Sequence, residues 1–472
     1  MKKQQGPMAE GRFFTIAERN VRSRRSAGSL LSTLDRWFHI SARGYTVPRE
    51  IVAGLTVFGA MAYIVAVNPS ILSAAGLDRH DMVMTTIAGA VAGTLLMALW
   101  ARLPIALAPA MSSNVLFAQV VVQQAHVSPR TAFTVVLFSG LCFTALSLSQ
   151  IRQRIIRGFP PSIVLGIQVA LGAFIARIGL TTGGIAVPTA QGLTFGSLSD
   201  PSVLLSMAGV LLCAVLVVLR VPAGLLLAIS TLTIAGLFIH TDKGTITTLP
   251  AHAVDWPHYP TNLFLPFDFA GFFSHLGLLI PITLYFLISD FFDATATMMS
   301  VAHRAGLDGT PEKPALDHRA FASDGAASII GASLGTCTVS AYVESLAGVE
   351  AGGRTGLSAL VVALLFAVSS VFWPLITAIP AIATAPVLVL VGLNMLGSLH
   401  RVADNPSDAI PPLTMLLIAG VTGNFMLSLS CGLLLYTGLA FALRDFKRLT
   451  PIVLGLDAAF LLYMILQSHM GS

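Results

Sequence analysis

Apolar residues run along this chain in near-continuous stretches of about 17 to 25, without the alternation of a half-buried strand or the single stripe of a helix on a soluble core. That length suits a helix crossing a hydrocarbon core of about 30 Å, whereas a barrel strand takes about 10 residues. Hydrocarbon offers no partner to open backbone groups, so the spans must be helices. Seven segments are predicted at 51–72, 82–101, 104–124, 131–149, 160–179, 202–219 and 222–240. A polar stretch at 241–270 follows, then seven more at 274–302, 319–335, 337–350, 355–374, 381–399, 410–423 and 425–443. A last apolar piece, 451–467, carries Asp457 and reads as a fifteenth span or as a terminal helix lying along the bundle.

Composition agrees: 55% of the 472 residues are hydrophobic, 10% are charged, and the mean hydropathy is +0.81. Such a chain is beyond the range of soluble domains and takes the lipid bilayer as its solvent. Cys142, Cys213, Cys337 and Cys431 all sit in apolar segments without paired spacing, which predicts neither disulfides nor a metal site. The basic tail, residues 1–49, lacks the short apolar core of a signal peptide. Its Arg22, Arg24 and Arg25 read as a topology determinant rather than a nucleic-acid patch.

Basic residues sort cleanly when segments alternate from a cytoplasmic N-terminus. Twenty-three of the 27 fall inside, and only Arg79, Arg130 and Lys243 fall outside. Arg177, near the outer end of the fifth segment, is left over and reads as a snorkelling residue. The expected organisation is a cytoplasmic tail (1–49), a first seven-helix repeat (50–240), an extracytoplasmic loop (241–270), a second repeat (271–443) and a C-terminal tail (444–472). An odd-numbered unit inserts upside down the second time, the inverted repeat of secondary carriers. "REIVAGLTVFGAMAYIVAVNPSILSAAG" at 49–76 and "PITLYFLISDFFDATATMMSVAHRAG" at 281–306 open the two halves; "LLSMAGVLLCAVLVVLRVPAGLLL" at 204–227 and "LTMLLIAGVTGNFMLSLSCGLLLY" at 413–436 close them.

Carrier sites lie where helices break near the midplane. The third segment, "LPIALAPAMSSNVLFAQVVV", and the tenth, "GTCTVSAYVESLAGVEAGG", look broken and occupy corresponding places. Four acids lie inside spans, at a cost of about 2.5–3.5 kcal/mol each. Asp290 and Asp293 are three apart in the eighth segment, Asp324 is in the ninth, and Glu344 is in the tenth. No Lys or Arg shares those apolar stretches. At least one acid is therefore protonated for part of a cycle or paired with a ligand's N–H groups, which suits proton coupling. Asp293 reads alternatively as holding a neighbouring half-helix, Asp324 as a helix-start cap, and Asn114 as an amide bridging broken helices.

At these residues the chain resembles the azaguanine-like (AzgA-like) purine permeases of the nucleobase cation symporter superfamily, over nearly all of 48–443. The likeness is carried by the 49–76 stretch, "PIALAPAMSSNVLFA", "DFFDATAT", "YVESLAGVEAGGRTGLSALVVALLF" and "IPAIATAPVLVLVGLNM". The resemblance implies an all-α fold of fourteen transmembrane segments in two inverted sevens. It further implies a core domain (segments 1–4 and 8–11) moving against a gate domain (5–7 and 12–14), and a homodimer through the gate. It implies proton symport of adenine, guanine or hypoxanthine in the bacterial inner membrane, with the proton as coupling ion and no other cofactor or metal. It assigns substrate binding to Asp290 and Glu344 with Asn114, Ser113 and Val343, and proton coupling to Asp290, Asp293 and Glu344. The chain departs from the family's usual "APGMGLNAFFA" at Ala110, Ser112, Ser113, Val115 and Leu116, and from "FDTxGT" at Ala294 and Ala296. Val339, Ser340 and Ala341 replace a Thr-rich approach to the glutamate. Ala or Ser for Gly adds volume and a hydroxyl where a ligand nears the backbone. The expected cargo is thus a purine, with another small heterocycle or organic anion as the alternative. An intramembrane enzyme built on Asp290 and Asp293 is disfavoured, because both project from one helix face. A passive channel lacks its charged rings.

Overall fold

The computed structural model describes residues 33–41, 45–149, 158–189, 192–241, 244–307, 316 and 318–470. Arg22, Arg24, Arg25, Arg152, Arg154, Arg157, Lys243 and Lys313 lie outside the described residues. The chain is mostly helical. Among the described residues nine helices are long and apolar enough to cross a membrane: Val47–Ala75, Arg79–Ala101, Pro129–Leu148, Pro161–Thr182, Pro201–Val218, Leu276–Arg304, Gly356–Thr377, Ala381–Arg401 and Phe425–Ala442.

The other five predicted segments hold shorter or broken elements. Gly224–Phe238, His318–Ser333 and Pro406–Thr422 have 15, 16 and 17 residues. The third segment is a strand, β1 (Leu107–Pro109), then a helix from Met111 to Val115 that widens to π geometry over Leu116–Gln124. The tenth is a strand, β2 (Val339–Ala341), then a one-turn helix, Ser345–Glu350.

Helix starts follow local chemistry. Asp78, Ser128, Asp200, Asn405 and Asn424 each accept a hydrogen bond from a backbone N–H of the first turn they precede. Pro129, Pro201 and Pro406 stand at first helical positions, where the missing N–H has no partner to lose.

The helices pack in two sets. In the first, α1 (Val47–Met61), α2 (Arg79–Leu96), α3 (Pro129–Leu148), α4 (Leu276–Arg304), α5 (His318–Ser333) and α6 (Gly356–Ser369) surround the two strands. In the second, α7 (Pro161–Thr182), α8 (Pro201–Val218), α9 (Ala381–Leu396), α10 (Pro406–Thr422) and α11 (Phe425–Ala442) pack on one another. Where α7 crosses α9, a Cβ on Gly172 would come within 2.8 Å of the Gly392 carbonyl oxygen, and one on Gly392 within 2.4 Å of that of Gly172. Only glycine at both positions allows this close crossing. Leu211, Val218, Leu417 and Val421 remain exposed on the outside, as lipid-facing positions do.

The terminal helix, α12 (Pro451–Met470), packs on α11 and α4. Its Asp457 accepts a hydrogen bond from Thr437 of α11. Arg177 does not snorkel: it donates to the carbonyls of Gly420, at 3.0 Å, and Val421. Those carbonyls lie in the last turn of α10, where intrahelical partners run out, so a cation there replaces them.

Candidate functional site

The two broken segments meet. β1 and β2 pair antiparallel with Leu107 opposite Ala341, Ala108 opposite Ser340 and Pro109 opposite Val339. The ladder continues at both ends, Ala110 N donating to Thr338 O at 2.8 Å and Tyr342 N to Ala106 O at 3.0 Å. Side chains complete it. Thr94 takes the Leu107 N–H at 3.0 Å and donates to its carbonyl at 2.7 Å, Ser345 Oγ takes the Ala106 N–H, and the Tyr342 hydroxyl donates to Pro109 O at 2.6 Å. These bonds are what allows extended backbone inside the bundle.

Beside the ladder lies a cavity of about 370 Å³, within the range of small-molecule sites. The first set supplies Tyr63, Met111, Ser112, Asp293, Ser340, Tyr342, Val343 and Glu344, and the second supplies Gln168, Ile175, Val391, Asn394 and Met395. No Lys or Arg is among these lining residues. Glu344 accepts a 2.6 Å hydrogen bond from the Tyr63 hydroxyl, and Ser112 Oγ stands 3.5 Å from Asp293 Oδ2. Two carboxyls from different helices therefore face one cavity, oriented by hydroxyls. Opposite them stand two amides, each offering donor and acceptor. This arrangement suits a flat molecule with N–H donors and nitrogen or oxygen acceptors around its edge.

The predicted residues separate into two groups. Asp293, Glu344 and Val343 line the cavity; Asp290, Asn114 and Ser113 do not. Asp290 is buried behind β2, where the Ser328 hydroxyl stands 3.1 Å from both Asp290 Oδ2 and the Val339 carbonyl. Asn114 is fully buried, and neither amide atom has a hydrogen-bond partner among the described residues. Asp324 does not cap a helix start, since α5 begins at His318; it receives Ala341 N at 2.8 Å and the Ser340 hydroxyl, and so fixes β2. Of the departures from the family pattern, Ala110, Ser112, Ala296 and Ala341 line the cavity, whereas Ser113, Ala294 and Val339 do not.

Tyr63, Gln168 and Asn394 are cavity residues that the sequence reading passed over. Each is a single polar residue in an apolar run, the one signal available. Glu50 was also missed. Fully buried in α1, it accepts Arg354 N at 2.8 Å and Thr355 N at 3.3 Å, tying the first span to the start of α6.

A second cavity, of about 740 Å³, shares Gln168 and Ala296 with the first and reaches Met299, Arg401, Asp408, Tyr436 and Arg448. Arg448 is paired there with Asp408 at 2.7 Å and Asp445 at 2.9 Å. At the other end of the bundle the two sets are joined. Arg79 donates to the Ile379 carbonyl, Gln124 to the Gly423 carbonyl at 3.1 Å, and Thr384 to Ser70 at 3.2 Å.

Similarities to known proteins follow this geometry. The chain is 36% identical to the guanine/hypoxanthine permease PbuO of Bacillus subtilis, over 91% of this chain and all of that one. It is 34% identical to the adenine permease AdeQ of Escherichia coli, over 92% and 96% of the two chains. Among solved structures, it matches the transmembrane domain of the cyanobacterial bicarbonate transporter BicA with a TM-score of 0.61 and 17% identity, covering 82% of this chain and 97% of that one. The SLC26A9 structure gives a TM-score of 0.61 at 12% identity, over 89% and 70%. At such identities these two likenesses speak of fold alone. Residues 48–427 match the permease family Xan_ur_permease, so this chain belongs to that family, a multi-pass membrane permease and not an enzyme.

Proposed function

We propose that the chain is a proton-coupled permease for purine nucleobases of the adenine, guanine and hypoxanthine class. The observation that carries this reading is the pair Asp293 and Glu344, presented from different helices to one cavity without a cation in its wall. A purine offers ring N–H donors and ring-nitrogen acceptors in one plane, so two carboxyls fix its orientation, and their protonation links binding to the proton gradient. The relatives, a guanine/hypoxanthine permease and an adenine permease by name, support the substrate class. Asp290 acts from behind the ladder, through Ser328 and β2, on the coupling side, while Asn114 and Ser113 are buried in the helix that follows β1.

Fourteen segments cross the bacterial inner membrane as two inverted repeats, 50–240 and 271–443, with the N-terminal tail in the cytoplasm. The first helix set is the core domain and the second the gate, which also forms a homodimer interface. Transport proceeds by an elevator-like movement of core against gate. Support comes from the charge asymmetry, from the corresponding places of the two broken segments, and from bonds between the sets at one end with a cavity between them at the other. The test is uptake of labelled hypoxanthine and adenine into proteoliposomes. Accumulation is expected to rise when the outside is acidified and to collapse with a protonophore. Glu344→Gln should weaken binding roughly 10- to 100-fold, as loss of a hydrogen bond to a charged group does. Uptake of neither base, or uptake indifferent to the proton gradient, overturns the reading.

A further inference from the structure

Between the two cavities is a neck, and one side chain borders everything around it. The cavity beside the ladder, the larger cavity towards Arg401, and a gap of about 10 Å³ between Asp293, Ser289, Phe292 and Met395 all include Gln168 in their walls; no other residue lines all three. Gln168 is the one amide in α7, a helix of the second set whose other residues between Ser162 and Arg177 are apolar. It is half-buried, and its amide has no hydrogen-bond partner among the described residues. The carboxyls of Asp293 and Glu344 approach from the first set, where Ser112 and Tyr63 hold them.

The division of chemistry follows. An ionised carboxylate only accepts, so the carboxyl side takes ring N–H groups. The remaining edge of the base faces the second set. There, 6-oxo and 6-amino purines differ in kind: one presents an acceptor and the other a donor. A primary amide meets either by turning half a turn about its last torsion, which is broad and costs little. Unlike a hydroxyl or carboxylate, it then holds a second polar atom towards the neck.

We propose that Gln168 reads the exocyclic group at position 6 of the purine, and so sets the preference between 6-oxo and 6-amino bases. This rests on the purine reading above. Reaching the bound base from the opposite helix set, it also makes the ligand a bridge across the neck that separates the site from the larger cavity.

The test is competition for binding to the purified, full-length protein by hypoxanthine and adenine, in wild type and in two variants. In Gln168→Glu the side chain keeps its length and loses its donor. Hypoxanthine affinity should fall about tenfold relative to adenine, because an acceptor then faces an acceptor. In Gln168→Met, which offers neither, both bases should weaken and the ratio should change less than in Gln168→Glu. A folding defect lowers the two signals together, so the ratio is its own control. An unchanged hypoxanthine-to-adenine ratio in Gln168→Glu, with wild type binding either base, overturns this inference and leaves the purine reading standing. Wild type binding neither base overturns both.

Discussion

The two ends of the helix bundle differ in how the two sets meet. At the Arg79 end, three hydrogen bonds cross between them: Arg79 to Ile379, Gln124 to Gly423 and Thr384 to Ser70. Two of the three end on backbone carbonyls, and the third joins two hydroxyls. At the Arg401 end the sets stand apart around about 740 Å³, and the ion pairs there, Arg448 with Asp408 and Asp445, stay within the second set and its following turn. Short-range bonds to uncharged acceptors close one end. Such contacts are worth about 0.5–1.5 kcal/mol each, enough to hold a conformation and small enough to be released. The cavity beside the ladder therefore adjoins open space at the Arg401 end.

The strongest way to break this comparison is to make the closed end permanent. With Cys142, Cys213, Cys337 and Cys431 replaced by alanine, the pair Ser70→Cys and Thr384→Cys should form a disulfide, since the native hydroxyl oxygens lie 3.2 Å apart. Uptake by the oxidised protein is expected to fall to background and to return with reductant. Full cross-linking with undiminished uptake would show that this end need not open. Next in size is accessibility. In the same cysteine-free background, Met299→Cys, in the open cavity, should react with a water-soluble thiol reagent at least about tenfold faster than Thr384→Cys, which is fully buried. Equal rates would remove the asymmetry. The smallest effect sharpens it: Arg79→Ala deletes one closing bond, so about 1 kcal/mol should speed labelling of Thr384→Cys roughly fivefold. A rate that stays put would assign Arg79 to packing alone.

Much of the fold was legible because lipid imposes length and apolarity together, and those are written in the residues of each long span. The breaks at Pro104, Pro109 and the Thr–Val run before Glu344 were legible too, since Pro and β-prone residues disfavour helix; the structure has strands there. The site was legible in part, and helix geometry explains the misses. Residues three apart point about 60° from each other, so Asp293 lines the cavity while Asp290 turns to Ser328 behind β2. Ser112 and Asn114 are about 160° apart on their helix and cannot share a cavity wall. Searching for charge buried in lipid finds the acids but passes over Tyr63, Gln168 and Asn394, whose lone polar groups cost less to bury. Their role depends on helices far away in sequence, which no local pattern encodes.

The three-residue ladder has a consequence for assembly and descent. Leu107–Pro109 and Val339–Ala341 lie in different halves of the chain, and each is the other's hydrogen-bonding partner. A half made alone would hold an unpaired strand in hydrocarbon, at several kcal/mol for each open group. Neither half is thus a self-sufficient membrane protein, and an insertion in one strand requires an answering change in the other.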